Sequence, residues 1–209
     1  MRAVIITGGS IQNYPAIKQY IQPNDYIICA DSGYDHAVKM EITPNLLVGD
    51  MDSIHADLPT ENIRIFPAKK DDTDTEIAIS AALEQGCDDI LILGGIGSRM
   101  DHTLANILFL KQLHDQKISA KIVNENNEIR LMGSQENITL QGHPGDLLSL
   151  IPITDCIGVT NKGFEYPLIQ EDLPLGTTRG VSNVFLSDTG SISLQNGLLL
   201  VMQCRDLSY

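Results

Sequence analysis

Acidic side chains recur at short spacing in two polar segments of this 209-residue chain. Asp50 and Asp52 alternate in Gly-Asp-Met-Asp-Ser, and Asp71, Asp72 and Asp74 follow two lysines in Lys-Lys-Asp-Asp-Thr-Asp. Carboxylates two positions apart on an extended chain point the same way, so they can share one metal region. Because Mg²⁺ takes one or two carboxylates together with phosphate oxygens and water, the segments predict a site that organises magnesium and phosphate.

A structural role is the alternative for each aspartate taken singly. Asp after a strand often caps a helix or closes a turn, and for an isolated Asp that interpretation is the better one. Two such segments following neighbouring strands favour the metal site, because their carboxylates would repel one another without a cation among them.

Glycines accompany the acidic segments and fit the same chemistry. They occur in Thr-Gly-Gly-Ser and in Gly-Gly-Ile-Gly-Ser-Arg-Met-Asp-His, at Gly8, Gly9, Gly94, Gly95 and Gly97. Glycine allows backbone N–H groups to approach a phosphate closely, although glycine after a strand is often only a turn. Neither a P-loop nor a dinucleotide-binding fingerprint is present, so the segments indicate another kind of phosphate site.

Two cations and one histidine complete the candidate site. Lys70 and Arg99 are the side chains best suited to bind phosphate, although either one alone could equally be a solvated surface charge. His102 follows Asp101 and could act as a base, but a histidine at this place more often only begins a helix.

The elements that must position these residues alternate along the first part of the chain. Strands are predicted at Ala3–Thr7, Tyr26–Ala30, Leu46–Val48, Ile63–Phe66, Ile90–Leu93 and Ala120–Val123. Helices are predicted around residues 14–21, 34–40, 74–85 and 103–115, with Thr73 and Glu76 forming a capping box at the start of the third. The alternation predicts an α/β domain over residues 1–123 with a doubly wound, mostly parallel sheet.

Ligands of such a sheet bind just beyond the carboxyl ends of its strands. The polar segments follow predicted strands, so one rim of the sheet collects seven carboxylates. They are Asp31, Asp50, Asp52, Asp71, Asp72, Asp74 and Asp101.

Residues 124–209 show a different pattern. Helical periodicity disappears, glycine recurs, and short apolar segments such as Leu147–Ile151, Val181–Leu186, Ser191–Leu194 and Leu198–Met202 follow one another. The spacing is typical of an antiparallel β sandwich or barrel. We therefore predict a C-terminal all-β sandwich domain, joined to the first domain near the polar residues 124–127.

Composition excludes several function classes. The formal charge of −13 and the sequence pI near 4.6 argue against binding to nucleic acids, because no basic surface can replace counterions. No apolar run approaches the roughly 18 residues of a membrane span or the form of a signal peptide. The sequence predicts a cytoplasmic protein that binds neither nucleic acid nor membrane.

The ordered motifs resemble those of the thiamine pyrophosphokinase family. They are Ala-Asp-Ser-Gly at 30–33, Gly-Asp-Met-Asp-Ser at 49–53, Lys-Asp-Asp-Thr-Asp at 70–74, the segment 94–102, and Arg-Gly-Val-Ser-Asn at 179–183. The resemblance implies an α/β domain, a β-sandwich domain, and a homodimer with two active sites between subunits. It also implies transfer of the pyrophosphoryl group of ATP to the hydroxyl of thiamine, giving AMP and thiamine diphosphate.

The resemblance also suggests roles for individual residues. It assigns Asp50, Asp52 and Asp74 to Mg²⁺, and it gives catalytic roles to Asp74, Arg99 and Asp101. ATP and its phosphates would contact Gly9, Asp31, Gly33, Lys70, Thr73, Gly94, Gly95, Arg99 and His102, and thiamine would contact Ser182, Asn183 and Asp74. The chain departs from the family pattern at Val184, where a Glu often follows the Ser-Asn pair, and at Lys69, where an acidic residue is expected.

Other functions stay open at this stage. A non-catalytic nucleotide-sensing module needs affinity but has no need of the acidic cluster, and another Mg²⁺-dependent nucleotide transferase would share it. A phosphatase with an aspartyl nucleophile would place its Asp-x-Asp directly after the first strand, where this chain has Thr-Gly-Gly-Ser. The carboxylate that accepts a proton, if any does, is not determined by these motifs.

Overall fold

The computed structural model of the chain describes residues 1–58, 62–65 and 72–205. The chain divides into two compact units, residues 1–125 and residues from 126 onward. We call the first the α/β unit and the second the β unit. The predicted site residue Lys70, its neighbours Lys69 and Asp71, and the end of the predicted strand at Phe66 lie outside the described residues.

The α/β unit alternates strands and helices as predicted. Its strands are β1 (Arg2–Ile6), β2 (Tyr26–Ala30), β3 (Leu46–Gly49), β4 (Ile63–Ile65), β5 (Asp89–Leu93) and β6 (Ser119–Val123). Its helices are α1 (Tyr14–Lys18), α2 (Gly33–Lys39), α3 (Asp74–Glu84) and α4 (Met100–Asp115).

The sheet of the α/β unit has the order β6-β5-β1-β2-β3-β4, and its neighbouring strands pair in parallel. After β1 the chain builds the sheet towards β4 and then returns to the other side of β1 with β5. The topological switch point therefore lies between β1 and β5. In open parallel sheets the ligand crevice forms at such a point, where adjacent loops diverge.

Local sequence signals explain where the helices begin. The predicted capping box is present at α3: the Thr73 hydroxyl accepts a hydrogen bond from the Glu76 N–H, and the Glu76 carboxylate accepts one from the Thr73 N–H. Helix α4 begins at Met100, three residues before the predicted start, and Arg99 is its N-cap. Helix α1 ends at Lys18, so the predicted helix over 14–21 is shorter than expected.

The β unit contains two antiparallel sheets. Their orders are β12-β9-β14-β7 and β11-β10-β13-β8. The strands are β7 (Asn127–Met132), β8 (Asn137–Gln141), β9 (Leu147–Pro152), β10 (Cys156–Lys162), β11 (Glu171–Leu173), β12 (Asn183–Val184), β13 (Thr189–Ser193) and β14 (Leu199–Cys204).

One buried apolar cluster fills the β unit and draws side chains from both sheets. Leu148 and Val201 come from the first sheet, and Val159 and Ile192 from the second. Phe164 and Phe185 pack edge to face within it, with ring centroids 4.6 Å apart. Two sheets sharing one core form a sandwich. The predicted fold class, an α/β domain followed by a β-sandwich domain, is confirmed.

Among the described residues, no helix combines the length and apolar character needed to cross a membrane.

Candidate functional site

A cavity of about 580 Å³ opens at the carboxyl ends of the strands in the α/β unit. Its walls are the loops after β1, β2, β3 and β5 together with the first turns of α3 and α4, so it includes the switch point of the sheet. Cavities of this size typically hold small ligands. Eight of the predicted site residues line it: Gly9, Asp31, Thr73, Asp74, Gly94, Gly95, Arg99 and His102.

An acidic cluster is formed by Asp31, Asp50 and Asp52, whose carboxylate oxygens lie within 4.8 Å of one another. Asp31 follows β2 and Asp50 follows β3, and these two strands are parallel neighbours, so their carboxyl ends meet. A cluster made only of carboxylates suits a hard cation such as Mg²⁺.

Asp31 presents its two carboxylate oxygens differently. Oδ2 accepts a hydrogen bond from the Ser53 hydroxyl, whereas Oδ1 is buried and has no hydrogen-bond donor among the described residues. A buried carboxylate oxygen without a partner is costly, because it has lost water and gained nothing in return. A metal ion bound by the acidic cluster would satisfy that oxygen, so the residues present fit Mg²⁺.

The charges of the acidic cluster oppose one another. A hydrogen bond with Asp50 and repulsion from its charge raise the pKa of Asp52, with smaller contributions from desolvation, Asp31 and Asp74. Asp74 therefore lies near enough for its charge to act on Asp52. A bound cation would relieve this repulsion and favour the ionised form of Asp52.

Gly49 makes the acidic cluster sterically possible. Its φ of 142° suits glycine, and a Cβ at this position would lie 3.0 Å from the Cβ of Asp31. A larger residue here would push Asp31 away from Asp50 and Asp52.

The glycine loops after β1 and β5 bind each other. The Gly9 N–H donates to the Gly94 carbonyl at 2.8 Å, and a Cβ on Gly9 would lie 2.1 Å from that oxygen. The Ser10 N–H donates to the carbonyl of Ile96, also at 2.8 Å. The Gly9 amide is thus used within the fold, and the glycine at this position serves the close approach of two backbones at the cavity wall.

Gly33, which follows the cavity residue Ser32, does not itself line the cavity. It is buried at the start of α2, and a Cβ there would lie 2.0 Å from the carbonyl oxygen of Ile6. Its small size lets α2 pack closely on β1.

Arg99 and Asp101 form an exposed ion pair at the start of α4, with 2.6 Å between Nη2 and Oδ2. Hydrogen bonds from the Arg99 guanidinium and then from the His102 N–H lower the pKa of Asp101 to about 2. A carboxylate with so low a pKa is a weak proton acceptor. Arg99 lines the cavity, whereas Asp101 is not among its lining residues.

Two cavity residues of α4 were missed in the sequence. The Thr103 hydroxyl accepts a hydrogen bond from the Gly97 N–H, and the Asn106 amide donates to the Gly95 carbonyl at 2.9 Å. Their spacing of three residues places them on one face of the helix. That face can be recognised in the sequence once the loop after β5 is known to pack against α4.

The predicted thiamine residues lie in the β unit and differ from each other. Ser182 is exposed, and its φ of 59° is not a strand conformation. The strand β12 therefore starts only at Asn183 and is shorter than the apolar segment over 181–186. Asn183 is buried, and its amide accepts hydrogen bonds from the N–H groups of Tyr166 and Val184 and donates one to the Tyr166 carbonyl. In this chain the Asn183 side chain therefore stabilises the fold of the β unit through these hydrogen bonds.

Comparison with known families gives two matches along the chain. The family described as "Thiamin pyrophosphokinase, catalytic domain" matches residues 17–122. The family described as "Thiamin pyrophosphokinase, vitamin B1 binding domain" matches residues 135–199.

Individual proteins show the same similarity. Thiamine pyrophosphokinase of Bacillus subtilis is 29% identical over 209 residues, covering 97% of this chain and 98% of that protein. The crystal structure of the Bacillus subtilis protein superposes with a TM-score of 0.89 at 27% identity, covering 99% of this chain and 100% of the other. Thiamin pyrophosphokinase from Geobacillus thermodenitrificans gives a TM-score of 0.84 at 26% identity, covering 100% and 99%.

The chain has a parallel sheet with this cavity in its α/β unit, a β sandwich after it, and matches to two family models. These features define it as a transferase of the kinase class. More particularly, the chain belongs to the thiamin pyrophosphokinase family. The family resemblance predicted from the motifs is confirmed, and so is the predicted activity, ATP-dependent transfer of a pyrophosphoryl group to thiamine.

Proposed function

We propose that the reaction takes place in the cavity of the α/β unit and requires Mg²⁺ held by Asp31, Asp50 and Asp52, with Asp74 beside them. The observation that carries the proposal is the buried Oδ1 of Asp31, which has no donor among the described residues and lies next to two further carboxylates. The family resemblance implies that Asp31 contacts the nucleotide, and its position in the acidic cluster supports a role in metal binding as well.

The charges around the cavity suit the two substrates. When bound, Mg²⁺ would neutralise the phosphate oxygens of ATP and the charge that develops as the bond breaks. Arg99 provides a positive charge at the cavity wall for the same phosphates, and Thr73 is the N-cap of α3, whose N-terminus favours an anion. Thiamine carries a fixed positive charge, so carboxylates at the rim attract this acceptor.

We further propose Asp74, rather than Asp101, as the carboxylate that takes part in the reaction. Asp74 lines the cavity and lies within electrostatic reach of Asp52, whereas Asp101 is paired with Arg99 and has a pKa of about 2. Asp101 then contributes to catalysis only by holding the Arg99 guanidinium in place through their ion pair.

The deciding experiment is to incubate the purified chain with ATP, Mg²⁺ and thiamine and identify the products by mass spectrometry. We expect AMP and thiamine diphosphate in equal amounts, and neither product once EDTA removes the metal. ADP with thiamine monophosphate would identify a simple kinase, and nucleotide binding without any product would identify a sensing module. Full activity in EDTA would contradict the metal proposal while leaving the reaction in place.

We also propose that the chain acts as a homodimer. Large apolar side chains are exposed on the β unit, and such a surface is typical of a protein interface. They include Tyr166, Ile169, Leu175, Val181 and Leu186. Light scattering should give twice the chain mass of 22.9 kDa, and that mass for a single chain would contradict the proposal.

A mixing experiment tests whether sites are shared between subunits. Subunits carrying Asp52→Asn are combined with subunits carrying Ser182→Trp, which blocks the predicted thiamine position with a bulky ring. About a quarter of wild-type activity should return, since half of the dimers are mixed and each has one intact site of two. No recovery would mean that each site is built from one chain.

A cytoplasmic location and the absence of nucleic-acid partners stay predictions from the composition.

A further inference from the structure

Asp35 on α2 binds the loop after β3, which carries Asp50 and Asp52 of the acidic cluster. Its carboxylate accepts hydrogen bonds from the backbone N–H of His55 at 3.1 Å and of Ala56 at 2.9 Å, three and four residues beyond Asp52. The Asp35 side chain is 16% exposed, and the imidazole of His55, also in contact with it, is 89% exposed. Burial raises the pKa of Asp35, but the hydrogen bonds from Ala56 and His55 outweigh it and lower that pKa.

His36, the next residue of α2, binds the glycine loop on the other side of the cavity. Its Nε2 lies 2.7 Å from the Gly9 carbonyl oxygen, and its Nδ1 lies 2.9 Å from the Tyr14 hydroxyl. A carbonyl can only accept, so Nε2 carries the hydrogen, and in the neutral ring Nδ1 accepts from Tyr14. Burial lowers the pKa of His36, which favours this neutral form.

The backbone of Gly9 is thus held through both of its polar groups. Its N–H is bound by the Gly94 carbonyl, and the carbonyl of the same residue is bound by His36. The loop after β3 is joined to the loop after β2 by the hydrogen bond from Ser53 to Asp31, and the two amides bound by Asp35 attach it to α2. One helix therefore holds both walls of the site through two consecutive side chains.

We propose that Asp35 and His36 are positioning residues with separable effects: Asp35 sets the acidic cluster for the metal, and His36 sets the glycine loop for the nucleotide. The inference rests on the proposed site, because it assumes that Mg²⁺ binds the acidic cluster and ATP binds the cavity. Outer-shell partners of metal ligands commonly change metal affinity by about 10-fold to 100-fold when removed. Loss of one neutral hydrogen bond to a binding loop changes affinity by about 5-fold to 10-fold.

The test measures two constants for each variant, the Mg²⁺ concentration for half-maximal activity and the KM for ATP at saturating Mg²⁺. Asp35→Ala should raise the Mg²⁺ requirement about 10-fold with little change in the KM for ATP. His36→Leu should raise the KM for ATP about 5-fold and leave the Mg²⁺ requirement unchanged. Conservative variants should recover most of each loss: Asp35→Asn keeps one acceptor oxygen, and His36→Gln keeps a donor close to the position of Nε2.

His55→Ala is the matched control. It removes the exposed imidazole and keeps the backbone N–H that Asp35 binds, so both constants should stay at wild-type values. Far-UV circular dichroism and thermal melting establish that each variant is folded. If Asp35→Ala unfolds, the inference is tested with Asp35→Asn and the two variants His36→Leu and His36→Gln.

Equal changes in both constants, or variants that lose only thermal stability, would overturn the inference and leave α2 a purely structural helix. Wild-type kinetic constants in every folded variant would overturn it too. Failure of the proposed site is distinguishable from these outcomes, because the wild-type chain would then show no dependence on Mg²⁺.

Discussion

In the β unit, Asn161 and Asn183 are buried, and the oxygen and the nitrogen of each side-chain amide form hydrogen bonds with the backbone. Their partners lie in residues 166–168, and Asn183 also accepts from the N–H of Val184. In the α/β unit, Asp31 leaves one buried oxygen without a donor among the described residues, and Asp52 lies beside carboxylates that repel it. The polar groups of the two asparagines are satisfied within the fold, whereas the carboxylates would be satisfied only by a bound ligand. Substitutions of similar size should therefore affect stability in one unit and turnover in the other.

The largest effect is expected at the acidic cluster. Asp52→Asn keeps the shape of the side chain and removes a charge that Mg²⁺ needs, so turnover should fall by roughly 100-fold or more with the fold intact. Asp57→Asn, an exposed carboxylate five residues further along, should keep wild-type turnover. Steady-state release of AMP measures both. An Asp52 variant that unfolds would show instead that the cluster is structural.

The next effect is expected in the β unit. Asn183→Ala leaves the N–H and the carbonyl of Tyr166 without these partners and should lower the free energy of unfolding by about 2 kcal/mol. Ser182→Gly, which suits the φ of 59°, should keep stability and raise the KM for thiamine if Ser182 binds it. Denaturant unfolding and thiamine kinetics separate the two. Unchanged stability in Asn183→Ala would break the comparison between the units.

A smaller effect is expected at Arg99, which is exposed at the cavity wall. If its charge stabilises the phosphates more in the transition state than in the bound substrate, Arg99→Ala should lower kcat about 10-fold and also raise the KM for ATP. Asp101→Asn keeps the guanidinium and should change kcat less. A change confined to the KM would make Arg99 a binding residue only.

The smallest effect concerns ionisation of the Arg99–Asp101 pair. The pKa of Asp101 is about 2 in the folded protein against an ordinary 3.8, so the pair stabilises the fold above pH 4 and loses this effect as the pH falls towards 2. Carbon-13 NMR of the carboxyl group at pH 3.8 should show Asp101 ionised in the wild type and more protonated in Arg99→Ala, where the His102 N–H still lowers its pKa. Arg179→Ala, which opens a similar exposed pair in the β unit, should leave Asp101 unchanged.

Local and adjacent features of the site could be predicted from the sequence. The capping box of Thr73 and Glu76 depends on four successive residues, and it is present as predicted. The meeting of Asp31 with Asp50 follows from two parallel strands that are neighbours in both sequence and sheet. These features need no knowledge of how distant parts of the chain pack.

Features that depend on packing could not be predicted. The contacts of Asp35 and His36 require the distance from α2 to two loops that lie about 20 and 27 residues away along the chain. Asn183 belongs to a motif that suggested ligand binding, but its burial against Tyr166 depends on the path of the intervening segment. The same holds for the hydrogen bond from the Gly9 amide to the Gly94 carbonyl, which joins two loops far apart in the chain.

The position of β1 between β2 and β5 also determines when the cavity can exist during synthesis. The Thr7 hydroxyl donates to the Gly94 carbonyl at 2.5 Å across 87 residues of chain, so this wall closes only after β5 has left the ribosome. Until then one side of β1 is an open strand edge of apolar residues, which is a site for pairing with other chains. A fragment that stops before residue 89 should therefore aggregate and bind no nucleotide, even though it contains the whole acidic cluster.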